Sequence, residues 1–261
     1  MKKALLVTLL TLISLFCHAQ NAVGIKFLGI PIDGPKEQFA QKLKAKDFTY
    51  SSLYESYKGQ FNGKPVDVYI HTNHNLVDRV YVAFPYSTEE GIRTEFNRLL
   101  NQFKNNGKYM DLSFNSEIPD DEDISYEITV NNKRYQASFS YFDPDRDKVS
   151  FANDLVDKFL PYIEKEQAEV FKEYVRKLAT TPESEQQALQ EQMLEEMQKT
   201  MAESATEQDP EQSFMLVLKF IDAMKSLADG EVWFMIHEHY GKYQIGLYYD
   251  NLHNQAHGED L

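Results

Sequence analysis

The sequence predicts an α+β protein in which antiparallel sheet packs against helices. Three observations carry that expectation. Residues 66–72 and 79–84 alternate apolar and polar with period two, the habit of strands with one buried and one wetter face. An amphipathic helix with start and stop signals follows at once, over residues 88–104. A second set of strand-like runs closes the chain as an aromatic hairpin, on the far side of a long helical stretch.

At the N terminus, Met1-Lys2-Lys3 precedes an apolar run from Ala4 to Phe16 and then Cys17-His18-Ala19. This is the grammar of a secretory signal peptide, and the run is too short to span a bilayer. Cleavage is expected after Ala19, delivering the chain to the periplasm or the extracellular space. The rival is a lipid-anchored form through Cys17, disfavoured because Phe16 stands where a lipoprotein signal has a small residue. Cys17 is the single cysteine, so cleavage after Ala19 removes disulfides and thiol chemistry together and leaves stability to a packed core.

The first half is expected over residues 20–107. Residues 24–32 read as a short extended segment limited by Pro31, and Asp33-Gly34-Pro35 as a turn that starts a helix with Phe39 and Leu43 on one face. Strands over 57–62, 66–72 and 79–84 form a meander, with turns at Asn62-Gly63 and Asn73-His74-Asn75. Ser87 to Glu90 matches a capping box. Ile92, Phe96, Leu99, Leu100 and Phe103 then recur at helical spacing until Asn106-Gly107.

The second half is expected over residues 108–261. A strand over 109–114 and an acidic loop over 119–123 lead to a predicted hairpin, 124–130 against 135–141, turned by Asn131-Asn132-Lys133. An amphipathic helix over 148–160 stops at Pro161. A helical insertion follows over about residues 165–229, in segments 167–178, 183–203 and 211–228. The middle segment carries Leu189, Met193, Met197 and Met201 as a stripe, either an adaptable binding surface or a face buried between helices. The chain closes with strands over 232–238 and 243–249, apolar on more than one face, which predicts a central place in the sheet. The tail from Asn251 is polar and expected to fray.

Composition limits the function classes. The chain holds 27 Lys+Arg against 41 Asp+Glu, a formal charge of −14, and loss of Lys2 and Lys3 takes it to −16. That balance argues against nucleic acid and anionic membrane surfaces as partners. No segment after the signal is apolar enough over the length a membrane helix requires, so no integral membrane segment is expected. There is no Gly-x-Ser-x-Gly elbow, no Gly-rich phosphate loop and no His-Glu-x-x-His, so no catalytic residue and no cofactor is assigned.

Two sets of residues remain as candidates. Tyr69, Tyr81 and Tyr248, on the wetter side of their strands, with Trp233 of the closing hairpin, form either an aromatic recognition face or a second core beneath the insertion. Asp143, Asp145 and Asp147 with Asp154 imitate the oxygen-ligand spacing of a calcium loop, although Lys148 replaces its glycine. The plainer reading is an Asp-rich turn with Asp147 capping the next helix. His237 and His239 share one side of a strand and His253 and His257 would share a helical face, but pairs do not make a zinc site.

The runs Phe27 to Phe48, Phe61-Asn-Gly-Lys-Pro-Val-Asp-Val-Tyr69 and Tyr248 to Leu261 resemble uncharacterised secreted proteins of anaerobic Gram-negative gut bacteria, over most of the chain outside the insertion. The helix-then-meander order of residues 25–103 is also similar to the repeat of β-lactamase-inhibitor-like proteins and of the small outer-membrane assembly lipoproteins that share their fold. The chain departs from that pattern in lacking mature cysteines and a lipobox, and neither inhibition nor barrel assembly attaches to any residue. The expectation is an exported, non-enzymatic binding protein of the cell envelope, its partner an envelope protein or peptide. The alternative is a secreted hydrolase acting on glycans or peptides through carboxylates that converge only in the fold.

Overall fold

The computed structural model describes residues 24–143, 145–163, 165–182, 185 and 210–255. The proposed signal segment and its Cys17, the predicted helix over 183–203 with its methionine stripe, and His257 lie outside the described residues. By its contacts the chain falls into a sheet unit, Ala22–Asp143 with Ala228–Leu261, and a helical unit over Pro144–Leu227.

The sheet unit begins with a small hairpin, β1 (Lys26–Phe27) against β2 (Ile30–Pro31), followed by α1 (Lys36–Lys44) and four strands: β3 (Thr49–Ser51), β4 (Ser56–Phe61), β5 (Lys64–Asn73) and β6 (Leu76–Ala83). After α2 (Glu89–Lys104) come β7 (Tyr109–Met110), the short helix α3 (Ile124–Thr129), β8 (Gln136–Tyr141), β9 (Gly230–His239) and β10 (Lys242–Asn251). The eight longer-range strands form one antiparallel sheet in the order β3-β4-β5-β6-β10-β9-β8-β7. Each half is thus a helix followed by four strands in sequential order, and the halves meet where β6 pairs with β10. The closing hairpin sits centrally, as its two-faced apolar pattern predicts.

Turn chemistry sets the registers. Asn62-Gly63, His74-Asn75 and Tyr240-Gly241 each place two successive residues at positive φ, the geometry of tight hairpin turns matched to strand twist. One face of the sheet is then uniformly apolar. Val66, Val68, Val80, Val82, Ile245, Leu247, Val232 and Phe234 are all buried. Helix α2 covers this face: Phe96 meets Phe234 at 5.0 Å between ring centroids, and Phe103 meets Phe139 at 5.3 Å and Phe234 at 6.0 Å. Phe27 of the first hairpin packs on Phe61 and Tyr249 at 5.2 and 5.4 Å.

Three local expectations are corrected. Thr88, not Ser87, caps α2, its hydroxyl accepting from the Gly91 amide at 3.2 Å. The strand expected over 109–114 is confined to Tyr109–Met110. Residues 124–129 are helix rather than strand. Their alternation also satisfies i, i+4 spacing, and Ile124 and Ile128 face the core while Tyr126 stays outside. The Asp123 carboxylate caps the Tyr126 amide at 2.8 Å and Glu89 accepts from the Ile124 amide at 2.7 Å, which settles the choice for helix. β8 therefore pairs with β9 and β7 instead of with residues 124–130.

The long excursion between β8 and β9 leaves and rejoins the sheet at neighbouring positions, since Tyr141 is the cross-strand partner of Gly230. Asp229 closes this stem. Its carboxylate accepts from the Asp143 amide at 2.7 Å and contacts His253 Nε2 at 2.9 Å, and its own amide donates to the Tyr141 carbonyl at 2.9 Å. The tail is held too: Asn254 donates to the Val77 carbonyl and to Asp33, both at 2.9 Å.

The helical unit contains α4 (Lys148–Phe159), a 3-10 turn (Leu160–Tyr162) at Pro161, α5 (Lys165–Thr180) and α6 (Pro210–Lys225). Its interior is aromatic, with Phe159 5.1 Å from Phe171 and 5.3 Å from Phe220. No helix among the described residues is long and apolar enough to cross a membrane.

Candidate functional site

The sheet face opposite α2 bears a continuous row of rings. Cross-strand pairing sets Tyr69 of β5 beside Tyr81 of β6, Tyr81 beside Tyr248 of β10, and Tyr248 beside Trp233 of β9. Directly opposed residues share a face and lie close enough for ring contact. The ring centroids are 5.3, 4.7 and 3.8 Å apart, with interplanar angles of 22°, 16° and 7°. All four rings are partly exposed. The three tyrosines on the wetter side of their strands and Trp233 thus form one stack.

Polar groups fix the row at its Trp233 end. The Arg79 guanidinium donates in bidentate fashion to Asp250, Nε to Oδ1 at 2.5 Å and Nη2 to Oδ2 at 2.9 Å. Trp233 Nε1 donates to the same Oδ2 at 2.8 Å. Asp250 is only 2% exposed, so its charge is matched by the guanidinium and satisfied by the indole rather than by water. The Asp250 bond holds Arg79 above the usual arginine range against the opposing pull of burial. The guanidinium also lies 5.8 Å from the Trp233 ring and 5.7 Å from the Tyr248 ring, a cation–π arrangement at both.

Beside the row, Tyr248 Oη and His237 Nε2 are 3.3 Å apart. Burial raises the Tyr81 and Tyr248 phenols above the ordinary tyrosine range, so both stay protonated at neutral pH. Burial and then His239 push His237 below the ordinary histidine range, which favours the neutral ring as partner for Tyr248. Gly246 makes the row possible. A Cβ there would meet His237 Nε2 at 2.8 Å, Tyr81 Cε2 at 3.0 Å and Tyr248 Cε2 at 3.1 Å, so the rings lean over a position that only glycine leaves empty.

The stack limits its own chemistry. Rings lying face to face use up their faces on one another, so a ligand meets ring edges, phenol hydroxyls and the outer faces of the two end rings. Raised phenol pKa values offer no nucleophile or base at neutral pH. The geometry suits recognition by shape and hydrogen bonding.

The acidic set lies elsewhere. Asp143 Oδ2 accepts from the Gly24 amide at 2.8 Å within the sheet unit. In the helical unit, Asp147 caps α4 by accepting from the Val149 amide at 3.1 Å, Asp145 is exposed, and Asp154 is exposed on α4. Among the described residues, no three or more His, Cys, Asp or Glu side chains are grouped to hold a metal ion. His239 stands 6.1 Å from the Tyr86 ring, and His253 is on the stem carboxylate of Asp229.

Sequence reasoning missed Arg79, Asp250 and Gly246, and it weighed His237 only as half of a metal-ligand pair with His239. The signal for the first two is phase: Arg79 is two residues from Tyr81 and Asp250 two from Tyr248, so both share the ring-bearing face. No protein-family model, curated protein or solved structure gives a significant match to this chain.

Proposed function

We propose that this is an exported, non-enzymatic binding protein of the cell envelope, whose ring-bearing sheet face captures an envelope protein or peptide. The observation that supports the reading is the stack of Tyr69, Tyr81, Tyr248 and Trp233 braced by the Arg79–Asp250 pair. Tyr, Trp and Arg are the residue types enriched at the few hot spots that dominate binding at protein interfaces. Rings already locked in register lose little side-chain freedom when a partner arrives.

The test uses the mature protein as bait in native envelope extract, beside a Tyr81→Ala variant of unchanged melting behaviour. Capture of a defined partner that weakens at least tenfold in the variant is expected, a loss in the range of one interface hot spot. Equal capture by both proteins overturns the assignment of the face. Hydrolysis of glycans or peptides by the purified protein, abolished by replacing a single carboxylate, would establish the hydrolase reading instead.

A further inference from the structure

Protonated phenols and a neutral indole are poor nucleophiles, but they are among the side chains that give up one electron most readily to a radical oxidant. The row places one of each in direct contact. Trp233 and Tyr248 stack face to face, 3.8 Å between centroids and 7° from parallel, so their π systems overlap. Both rings are half-buried, which leaves part of the indole open to a diffusible oxidant. The groups around the pair give the electron a direction. The Arg79 guanidinium lies 5.8 Å from the Trp233 ring and 5.7 Å from the Tyr248 ring, so its charge opposes oxidation of both nearly equally and favours neither. The indole N–H is held by the Asp250 carboxylate, which is 2% exposed, so bulk water is kept from that proton. The Tyr248 phenol instead lies 3.3 Å from His237 Nε2, where a neutral imidazole with its proton on Nδ1 accepts. Burial and then His239 hold His237 below the ordinary histidine range, so at neutral pH it is ready to take a proton. Tyr248 thus has an exit for its proton at hand, and Trp233 does not.

We propose that Trp233, Tyr248 and His237 form a one-electron relay, which takes up diffusible radical oxidants and stores the oxidising equivalent as a tyrosyl radical. The relay needs no binding partner and stands apart from the capture reading above. In the first step the oxidant removes one electron from Trp233 and is itself reduced, leaving an indole cation radical whose N–H stays on Asp250. In the second, Tyr248 gives one electron to the indole and its phenol proton to His237 Nε2. The indole is restored, the imidazole becomes imidazolium, and the unpaired electron rests on Tyr248. One electron has left the protein, and every atom remains in it. Arg79 and Asp250 act as positioning residues, since they hold the indole against the phenol and exchange neither electron nor proton.

Trp233 is the only tryptophan, so an indole radical reports this position alone in the full mature protein. Azide radical, generated by pulse radiolysis, oxidises indole ahead of protonated phenols, and transient absorption follows the indole and tyrosyl bands. Decay of the indole band matched by growth of the tyrosyl band is expected, at a rate independent of protein concentration and slower in deuterated water. Tyr248→Phe keeps a stacked ring but has no phenol proton to release, and the next phenol, Tyr81, stands one ring further from the indole, so the matched growth should be lost. His237→Gln keeps a hydrogen-bonding side chain and removes the proton acceptor, and should slow the growth about tenfold or more. The two variants are read independently, so the test survives if one of them fails to fold. Parent-like conversion in either folded variant overturns the relay. So does a parent rate that rises with protein concentration, or a parent indole radical that decays without tyrosyl growth.

Discussion

Asp250 is the residue on which the ring-bearing face most depends, and Asp250→Ala is its sharpest test. The substitution removes an acceptor for three donors at once, two from Arg79 and one from Trp233. An indole N–H left unpaired in a partly buried position costs roughly 1–3 kcal/mol. A broken buried ion pair costs about 3–5 kcal/mol, but here that is an upper bound because the Arg79 side chain is 38% exposed and can turn to water. A loss of about 2–4 kcal/mol follows from combining these with the screening at Arg79. For a unit of this size each kcal/mol moves the transition by about 2–4 °C, so the midpoint should fall by roughly 5–15 °C. Unfolding is read by Trp233 emission, which reports the sheet unit alone, and acrylamide should reach the indole more readily before the transition. Arg79→Ala combined with Asp250→Ala should be less damaging than the sum of the single changes, with a coupling of about 1 kcal/mol or more. A midpoint within about 1 °C of the parent, with unchanged emission, would refute the idea that this carboxylate organises the row.

Gly246→Ala places a methyl within 2.8 to 3.1 Å of His237, Tyr81 and Tyr248; a loss of about 1–3 kcal/mol with altered near-ultraviolet circular dichroism is expected, and a silent substitution would show that the rings do not depend on that space. Asn115→Leu frees the Ser138 amide and carbonyl on the stretch of β8 that β7 does not reach, so a loss of about 1–2 kcal/mol and concentration-dependent association by light scattering are expected, against monodisperse parent-like behaviour if that stretch is protected otherwise. For pH the sign is set by His237, whose folded pKa is depressed by burial and then by His239. The unfolded chain therefore takes up its proton first, and stability present at neutral pH is lost as pH falls through the ordinary value of 6.5 towards the lower folded value. The midpoint should drop over that window and drop less in His237→Gln, and identical pH profiles would remove His237 as the cause.

The legible parts of the fold were those in which one periodicity had no competitor. Residues 66–72 and 79–84 alternate without a helical match, Asn62-Gly63 admits few turns, and the apolar stripe of α2 is long enough to exclude a strand. Residues 124–129 failed because Ile124 and Ile128 satisfy both periods, and the deciding bonds, from Asp123 and from Glu89 thirty-five residues earlier, are partly non-local. The ring-bearing face was legible by phase alone, since Tyr69, Tyr81 and Tyr248 each fall on the polar beat of an apolar strand. Its bracing was not legible, because Arg79 meets Asp250 across 171 positions, and only the pairing of β6 with β10 brings them together.

That pairing also fixes when the site can exist. Tyr69 and Tyr81 belong to the first helix-plus-meander half, whereas Trp233 and Tyr248 belong to the last two strands, so the stack crosses the seam between halves. Neither half alone can hold more than two of the four rings. The same strand, β10, brings Ile245, Leu247 and Tyr249 to the core face and Gly246, Tyr248 and Asp250 to the other. Burial of the core and assembly of the row are therefore one event. The opposite placement, on edge strands such as β3 or β7, would leave the rings free to fray and require binding to order them. A central strand that closes last in sequence thus gives the face its rigidity, at the cost of requiring β5, β6, β10 and β9 all to be paired before the four rings line up.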